Sequence, residues 1–121
     1  TLFRSLLSKS KPQLPKVLRF MRMNDSLRIE IAGHINAPGL SIRQLSPSDK
    51  ILSSKRAQLV FDYLVKNNID STRMRYIGYA NTQMKFPNAN TQKQMQANRR
   101  VEIRILDSGE LVSREEETNS N

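Results

Sequence analysis

Leu27-Arg28-Ile29-Glu30-Ile31-Ala32-Gly33 alternates apolar and charged side chains until Ala32 and Gly33 end the pattern. Successive side chains of a strand point to opposite sides of a sheet, so this two-residue period predicts a strand with one buried face. Upstream, Leu14, Val17, Leu18 and Met21 recur at helical spacing. Pro12 and Pro15 are best tolerated near a helix start, which predicts a helix from Pro12 or Pro15 to Met23. Asn24, Asp25 and Ser26 supply the turn between them.

Downstream, residues 34 to 51 hold Pro38, Gly39 and Pro47 among scattered polar side chains and read as a long loop. Ala57, Val60, Phe61, Leu64 and Val65 then form one apolar stripe, with Ser53 as the expected N-cap and Leu52 stapled onto Ala57. Asn67 and Asn68 suit the exit of that helix. Residues 73 to 79 read as a second strand, and Thr91 to Ala97 as a short helix. Val101, Ile103 and Ile105 alternate with Arg100, Glu102 and Arg104, which predicts a last strand with a clean inside and outside. Leu2 and Phe3 read as the end of a further strand. Helices alternating with strands imply an α/β two-layer sandwich, with helices packed on one face of a small mixed sheet.

At 121 residues the chain has room for one domain, expected over residues 1–106. Residues 107–121 are polar and acidic without aromatics and are expected to form a disordered tail. Thr1 stands where an initiator Met would, as in a piece of a longer precursor. No apolar run approaches the roughly 20 residues needed to span a bilayer, so any membrane attachment is expected through parts outside this chain.

The formal charge is +9. Five of the eleven acids and one of the twenty bases follow Leu106, leaving 19 bases against 6 acids in residues 1–106, a net of +13. That surface should attract polyanions, whether nucleic acid, anionic lipid or a carboxylate-rich cell wall. No helix-turn-helix, finger or aromatic ribonucleoprotein motif supports a nucleic-acid reading, and its bases are spread over several elements.

His34 is the lone histidine and there is no cysteine, so a zinc or copper site has too few donors and no metal is expected. Gly39-Leu40-Ser41-Ile42-Arg43 misses the last glycine of a serine-hydrolase elbow, and no second histidine can act as base. Four glycines do not write a phosphate-cradling loop. A binding protein without catalysis or cofactor is the expectation. Arg56 stands out, placed at about the third position of its helix, where the macrodipole disfavours a cation. A guanidinium beside exposed helix amides would clamp a carboxylate.

Three ordered stretches carry a family resemblance: Ile29-Glu30-Ile31-Ala32-Gly33-His34, Leu52-Ser53-Ser54-Lys55-Arg56-Ala57, and Asn98-Arg99-Arg100-Val101-Glu102-Ile103. Together with Gly78-Tyr79 and Asn90 they resemble the OmpA/MotB/Pal family of peptidoglycan-binding domains over residues 1 to 106. The resemblance implies a periplasmic, outer-membrane-associated anchor that joins an envelope protein to the cell wall. Its ligand would be the free amino-acid end of diaminopimelate in the stem peptide. In such domains an Asp after the Gly-His pair meets the ammonium, and the Arg of Leu-Ser-x-x-Arg-Ala meets the carboxylate. Arg56 matches that arginine. Ile35-Asn36 stands in place of the usual Thr-Asp, which removes the charge-assisted half of the clamp.

The resemblance thus implies a ligand site of Asn36, Asp49, Leu52, Arg56 and Arg99. Asp49, seven residues before Arg56, is the expected source of the carboxylate that Asn36 lacks. Arg99 and Arg100 point to opposite sides of a strand, so one faces the pocket, taken as Arg99, and the other makes a structural ion pair. The alternative is a divergent member that has lost wall binding and serves as a structural or protein-interaction module.

Overall fold

The computed structural model describes residues 14–106. The expected strand at Leu2-Phe3, the Pro12 option for the first helix and the acidic tail lie outside them. The elements run α1 (Leu14–Met23), β1 (Arg28–Gly33), a 3-10 turn (Ile42–Gln44), α2 (Pro47–Lys66), a 3-10 turn (Ser71–Arg73), β2 (Met74–Gly78), α3 (Gln92–Asn98) and β3 (Val101–Leu106). β1 lies in the middle of the three-stranded sheet, parallel to β2 and antiparallel to β3. Ile31 sits opposite Tyr76 on one side and Ile103 on the other.

The two-residue period of β1 does sort Ile29 and Ile31 onto the helix side, but the strand is not half-buried as expected: every residue from Ile29 to Gly33 is buried, because the opposite face is covered by a polar layer. Ile29 and Ile31 are fully buried beneath α1 and α2, packing with Val17, Leu18 and Met21 and with Ala57, Val60 and Leu64. Each such side chain removed from water contributes about 1.5–3 kcal/mol. The α/β sandwich with helices on one face of a mixed sheet is therefore the architecture observed. Arg73 ties the first layer down: its guanidinium donates to the carbonyls of Met21, Asn24 and Leu27 at the end of α1 and in the following turn. A cation is well placed among carbonyls at the C-terminal end of a helix.

Three local readings need correction. Residues 34–51 are not all loop, because α2 starts at Pro47, six residues before Ser53. Ser46 is its N-cap, accepting from the Asp49 amide at 3.2 Å, and Pro47 occupies the first turn. Proline suits that position because its missing N–H would have no intrahelical partner. Ser53 is thus an interior residue, buried at 1% exposure, and its Oγ accepts from the Ala80 amide at 2.9 Å. Leu52 does not staple onto Ala57 as a helix start would, but packs on a small second cluster of Ile35, Ala37, Leu45 and Ala80. Val65 is exposed and leaves the apolar stripe.

The third correction concerns β3. Its polar residues do not face solvent: Glu102 is buried at 7% exposure and Arg100 at 5%, whereas Ile105 is 56% exposed at the margin of the helix layer. On the face of the sheet away from the helices, Glu30 is 1% exposed. Its Oε1 accepts from Arg75 Nε at 2.9 Å and Nη2 at 2.6 Å, and its Oε2 from Tyr79 Oη at 2.7 Å and Arg104 Nη1 at 3.3 Å. Buried charges persist only when paired and hydrogen-bonded in this way.

His34 continues this polar layer just past β1. It is fully buried and stacks on Tyr79 with ring centroids 5.7 Å apart, while the Arg104 guanidinium lies 4.9 Å over the other aromatic ring. Its Nε2 is 2.9 Å from Glu102 Oε1 without forming an aligned hydrogen bond, and Nδ1 has no partner among the described residues. Burial, helped by the positive charge of Arg100 and Arg104, outweighs the pull of Glu102 and lowers the His34 pKa to about 4.

The sign of the pH effect follows. Between about pH 6.5 and 4 the unfolded chain takes up a proton that the folded chain refuses. The stability that neutral His34 permits is complete above pH 6.5, is lost as pH falls towards 4, and changes no further below that. The loss should be about 3 kcal/mol. Because the chain has a single histidine, its imidazole proton resonances are unambiguous in an NMR titration. A midpoint near 6.5 in the folded protein would contradict the burial argument.

Candidate functional site

The site lies where β1 runs out of the sheet into His34, Ile35 and Asn36. Two glycines make this end of the sheet accessible to the helix. Gly33 and Gly78 are register partners on neighbouring strands, and both face α2. A Cβ on Gly33 would overlap the Ser53 carbonyl oxygen, and one on Gly78 would overlap the Ser54 amide nitrogen. The helix backbone therefore rests directly on the strand ends. The segment leaving β1 is then stitched to both neighbours: His34 N donates to Arg100 O, Ile35 N to Ala80 O, and Tyr79 N to Gly33 O, each at 2.9–3.0 Å.

Arg56 projects into this corner from α2. It is the tenth residue of the helix and not the third, so the macrodipole penalty expected from the sequence does not apply. What holds it is a carbonyl: Nη1 donates to His34 O at 3.2 Å. Its pKa is lowered, first by burial and then by the charge of Arg99, which places the second guanidinium nearby. Arg99 itself is exposed at the junction of α3 and β3, and its side chain makes no hydrogen bond or ion pair among the described residues. Arg100, next in sequence, is buried against Glu102 at 2.8 Å. One of the paired arginines, Arg100, therefore makes a structural ion pair as expected, although the two lie between α3 and β3 and are not separated by strand alternation.

Asn36 closes the third side. It is half-buried, and its Oδ1 accepts from Asn98 Nδ2 at 2.8 Å. Asn98 is fully buried and is the residue that sequence reasoning missed. It was visible only as the first letter of the Asn98-Arg99-Arg100 stretch. Its Nδ2 also donates to Phe86 O at 3.0 Å, and its Oδ1 accepts from Phe86 N at 2.9 Å. One amide thereby joins the strand exit, the loop after β2 and the last turn of α3.

Arg56, bonded to His34 O, and Asn36, bonded to Asn98 next to Arg99, thus both attach to the strand exit, and Leu52 packs on the Ile35 cluster. Asp49 is placed apart. It is exposed in the first turn of α2, seven residues before Arg56, which is about 10 Å along the helix axis. No hydrogen bond joins its carboxylate to Asn36, whose Oδ1 is bonded to Asn98. Among the described residues no group of three or more histidines and acids could hold a metal. No helix there is long and apolar enough to cross a membrane.

The sequence model of the OmpA family matches residues 4–99, a span that includes α1 through the Asn98-Arg99 end of the site. The chain belongs to the OmpA family. Solved structures agree on the fold of this OmpA-family domain. The periplasmic domain of Helicobacter pylori MotB is similar with a TM-score of 0.65 at 18% identity, covering 97% of this chain and 80% of that one. The peptidoglycan-associated lipoprotein from Burkholderia pseudomallei gives 0.64 at 18% identity, covering 78% and 75%. The cell wall anchor of the T6SS from Pseudomonas aeruginosa is similar at 31% identity with a TM-score of 0.63, covering 79% of this chain and 65% of that one. None of the curated proteins matches the chain.

Proposed function

We propose that this OmpA-family domain is a non-catalytic cell-wall anchor in the periplasm, tying an envelope protein to peptidoglycan by gripping a diaminopimelate-type stem peptide. The observation that carries the reading is the corner built from Asn36, Arg56 and Arg99. A half-buried guanidinium held in place on a backbone carbonyl presents its remaining N–H groups with little entropy left to lose. Its natural counterpart is a carboxylate, and the wall's stem peptides are rich in them. Arg99 adds a second positive charge beside the first. Leu52 supports the floor, and Asp49 is a rim acid on the same helix.

Two comparisons support this reading. The family's structures include a peptidoglycan-associated lipoprotein and a cell wall anchor, the latter 31% identical to this chain. The net positive charge of residues 1–106 would also favour approach to an anionic wall.

The test is co-sedimentation of the purified chain with purified peptidoglycan, beside Arg56→Ala and calorimetry with a soluble muropeptide. Wild type should pellet, and Arg56→Ala should bind at least about tenfold more weakly, as expected when a charged hydrogen bond is lost. Its circular dichroism should be unchanged, because Arg56 makes one hydrogen bond to the rest of the described fold. Failure of wild type to pellet at any salt concentration would favour the reading of a structural or protein-interaction module.

A further inference from the structure

The amide of Asn36 has only one allowed orientation, and that orientation turns the whole site into donors. The reasoning starts at Asn98. The Phe86 amide must be met by an acceptor and the Phe86 carbonyl by a donor, so Asn98 Oδ1 faces Phe86 N and Asn98 Nδ2 faces Phe86 O. An Asn98 turned the other way would set donor against donor and acceptor against acceptor. The second N–H of Asn98 Nδ2 then points at Asn36 and requires an acceptor there, which is Oδ1 at 2.8 Å. Asn36 is thereby fixed with Nδ2 on the opposite side, and Nδ2 has no hydrogen-bond partner among the described residues.

The groups that the strand exit and its neighbours offer a ligand are now two guanidiniums and a primary amide NH2. None of the three offers a free negative charge. A ligand with an ammonium beside its carboxylate would bring a third positive charge against Arg56 and Arg99, with the Asn36 carbonyl already engaged. A ligand with the same carboxylate and a neutral amide instead brings no further positive charge, and its carbonyl can accept from Asn36 Nδ2. Asp49 does not restore the balance. It stands about 10 Å along the helix axis from Arg56, whereas the amino and carboxyl groups of one amino-acid end share a single carbon.

We propose that this site selects the stem-peptide carboxylate whose neighbouring amine is acylated, the form present in a cross-linked wall peptide, over the free zwitterionic end. The proposal rests on the peptidoglycan reading above and refines which chemical form of the ligand is taken. Asn36 is its specificity-determining residue, and Asn98 is the positioning residue that sets the direction of the amide.

The experiment uses two soluble probes: a diaminopimelate-containing tripeptide with a free side-chain amine, and the same tripeptide with that amine acetylated. Both are titrated into wild type, Asn36→Asp and Asp49→Asn, with purified peptidoglycan as a parallel binding assay. Wild type should bind the acetylated tripeptide more tightly than the free one. Asn36→Asp keeps the bond from Asn98 and adds a charged oxygen towards the corner, so it should reverse the preference by about tenfold. Asp49→Asn should leave the wild-type preference unchanged. The proposal is overturned if acetylation leaves wild-type binding unchanged or weakens it, or if Asn36→Asp leaves the preference as it was. Either result, with peptidoglycan still binding, leaves the wall-anchor reading standing. Loss of binding to both tripeptides and to peptidoglycan overturns the two together.

Discussion

Glu30→Ala should lower the free energy of unfolding by about 3–5 kcal/mol, the usual consequence of removing one partner from a buried ion pair. Glu30 is 1% exposed and accepts four hydrogen bonds, two from Arg75 and one each from Tyr79 and Arg104. Alanine would take away the negative charge that makes the 6% exposed Arg75 tolerable on that face. A domain of this size has about 5–15 kcal/mol in total, so the variant should lose much of its margin. Urea denaturation followed by circular dichroism measures the difference. The double variant Glu30→Met with Arg75→Met should be less destabilised than the single one, since it replaces the pair by apolar volume and leaves no charge stranded. A loss under about 1 kcal/mol for Glu30→Ala would mean that the pair is solvated in solution.

Gly33→Ala should cost about 3 kcal/mol or more, at the upper end of what overpacking does. The new Cβ would meet the Ser53 carbonyl oxygen, with the Ser53 carbonyl carbon 2.9 Å away and Ala57 Cβ 3.4 Å away. A side chain could swing aside, but the backbone of a 20-residue helix has to move as a body. Displacing α2 would also carry Arg56 away from His34 O, so the change should weaken ligand binding as well as stability. Gly39→Ala is the control. Gly39 has a φ of +78° and open space around its Cβ position, so alanine there costs only the backbone preference, about 1 kcal/mol. Equal destabilisation by the two would show that close approach is not what requires glycine at position 33.

The strands and the later part of α2 were legible because periodicity reports directly on which side chains share a face. Ile29 and Ile31 announced β1 in that way, and Val60 and Leu64 announced α2. The first turns of α2 were hidden because they carry little apolar surface. Their signal is chemical and local: a serine that caps, a proline that needs no partner, and Asp49 in the first turn. Missing it moved Arg56 from mid-helix to a helix end. Arg56 was singled out first by that supposed helix-end position, an electrostatic argument that did not hold, and separately by the Leu-Ser-x-x-Arg-Ala resemblance.

The polar layer was illegible for a different reason. Glu30, Arg75, Glu102 and Arg104 alternate with apolar residues as a solvated face would, and nothing within a strand tells a wet charge from a buried pair. That distinction lies in partners 45 and 74 residues away. Asn98 shows the same limit at the site, since its role depends on Asn36, 62 residues earlier.

The central position of β1 carries a consequence for how the chain acquires its shape. Ile31 has Tyr76 on one flank and Ile103 on the other, so among the described residues no ladder is a hairpin between adjoining strands. Chain closure over about 45 and about 70 residues must be achieved before either flank gains its hydrogen bonds, which favours slow, all-or-none assembly over stepwise growth. The last strand of the described fold is also one of those flanks. A ribosome or an export channel would therefore release most of this domain before the sheet could be completed, and the chain would remain threadable until its final residues arrived.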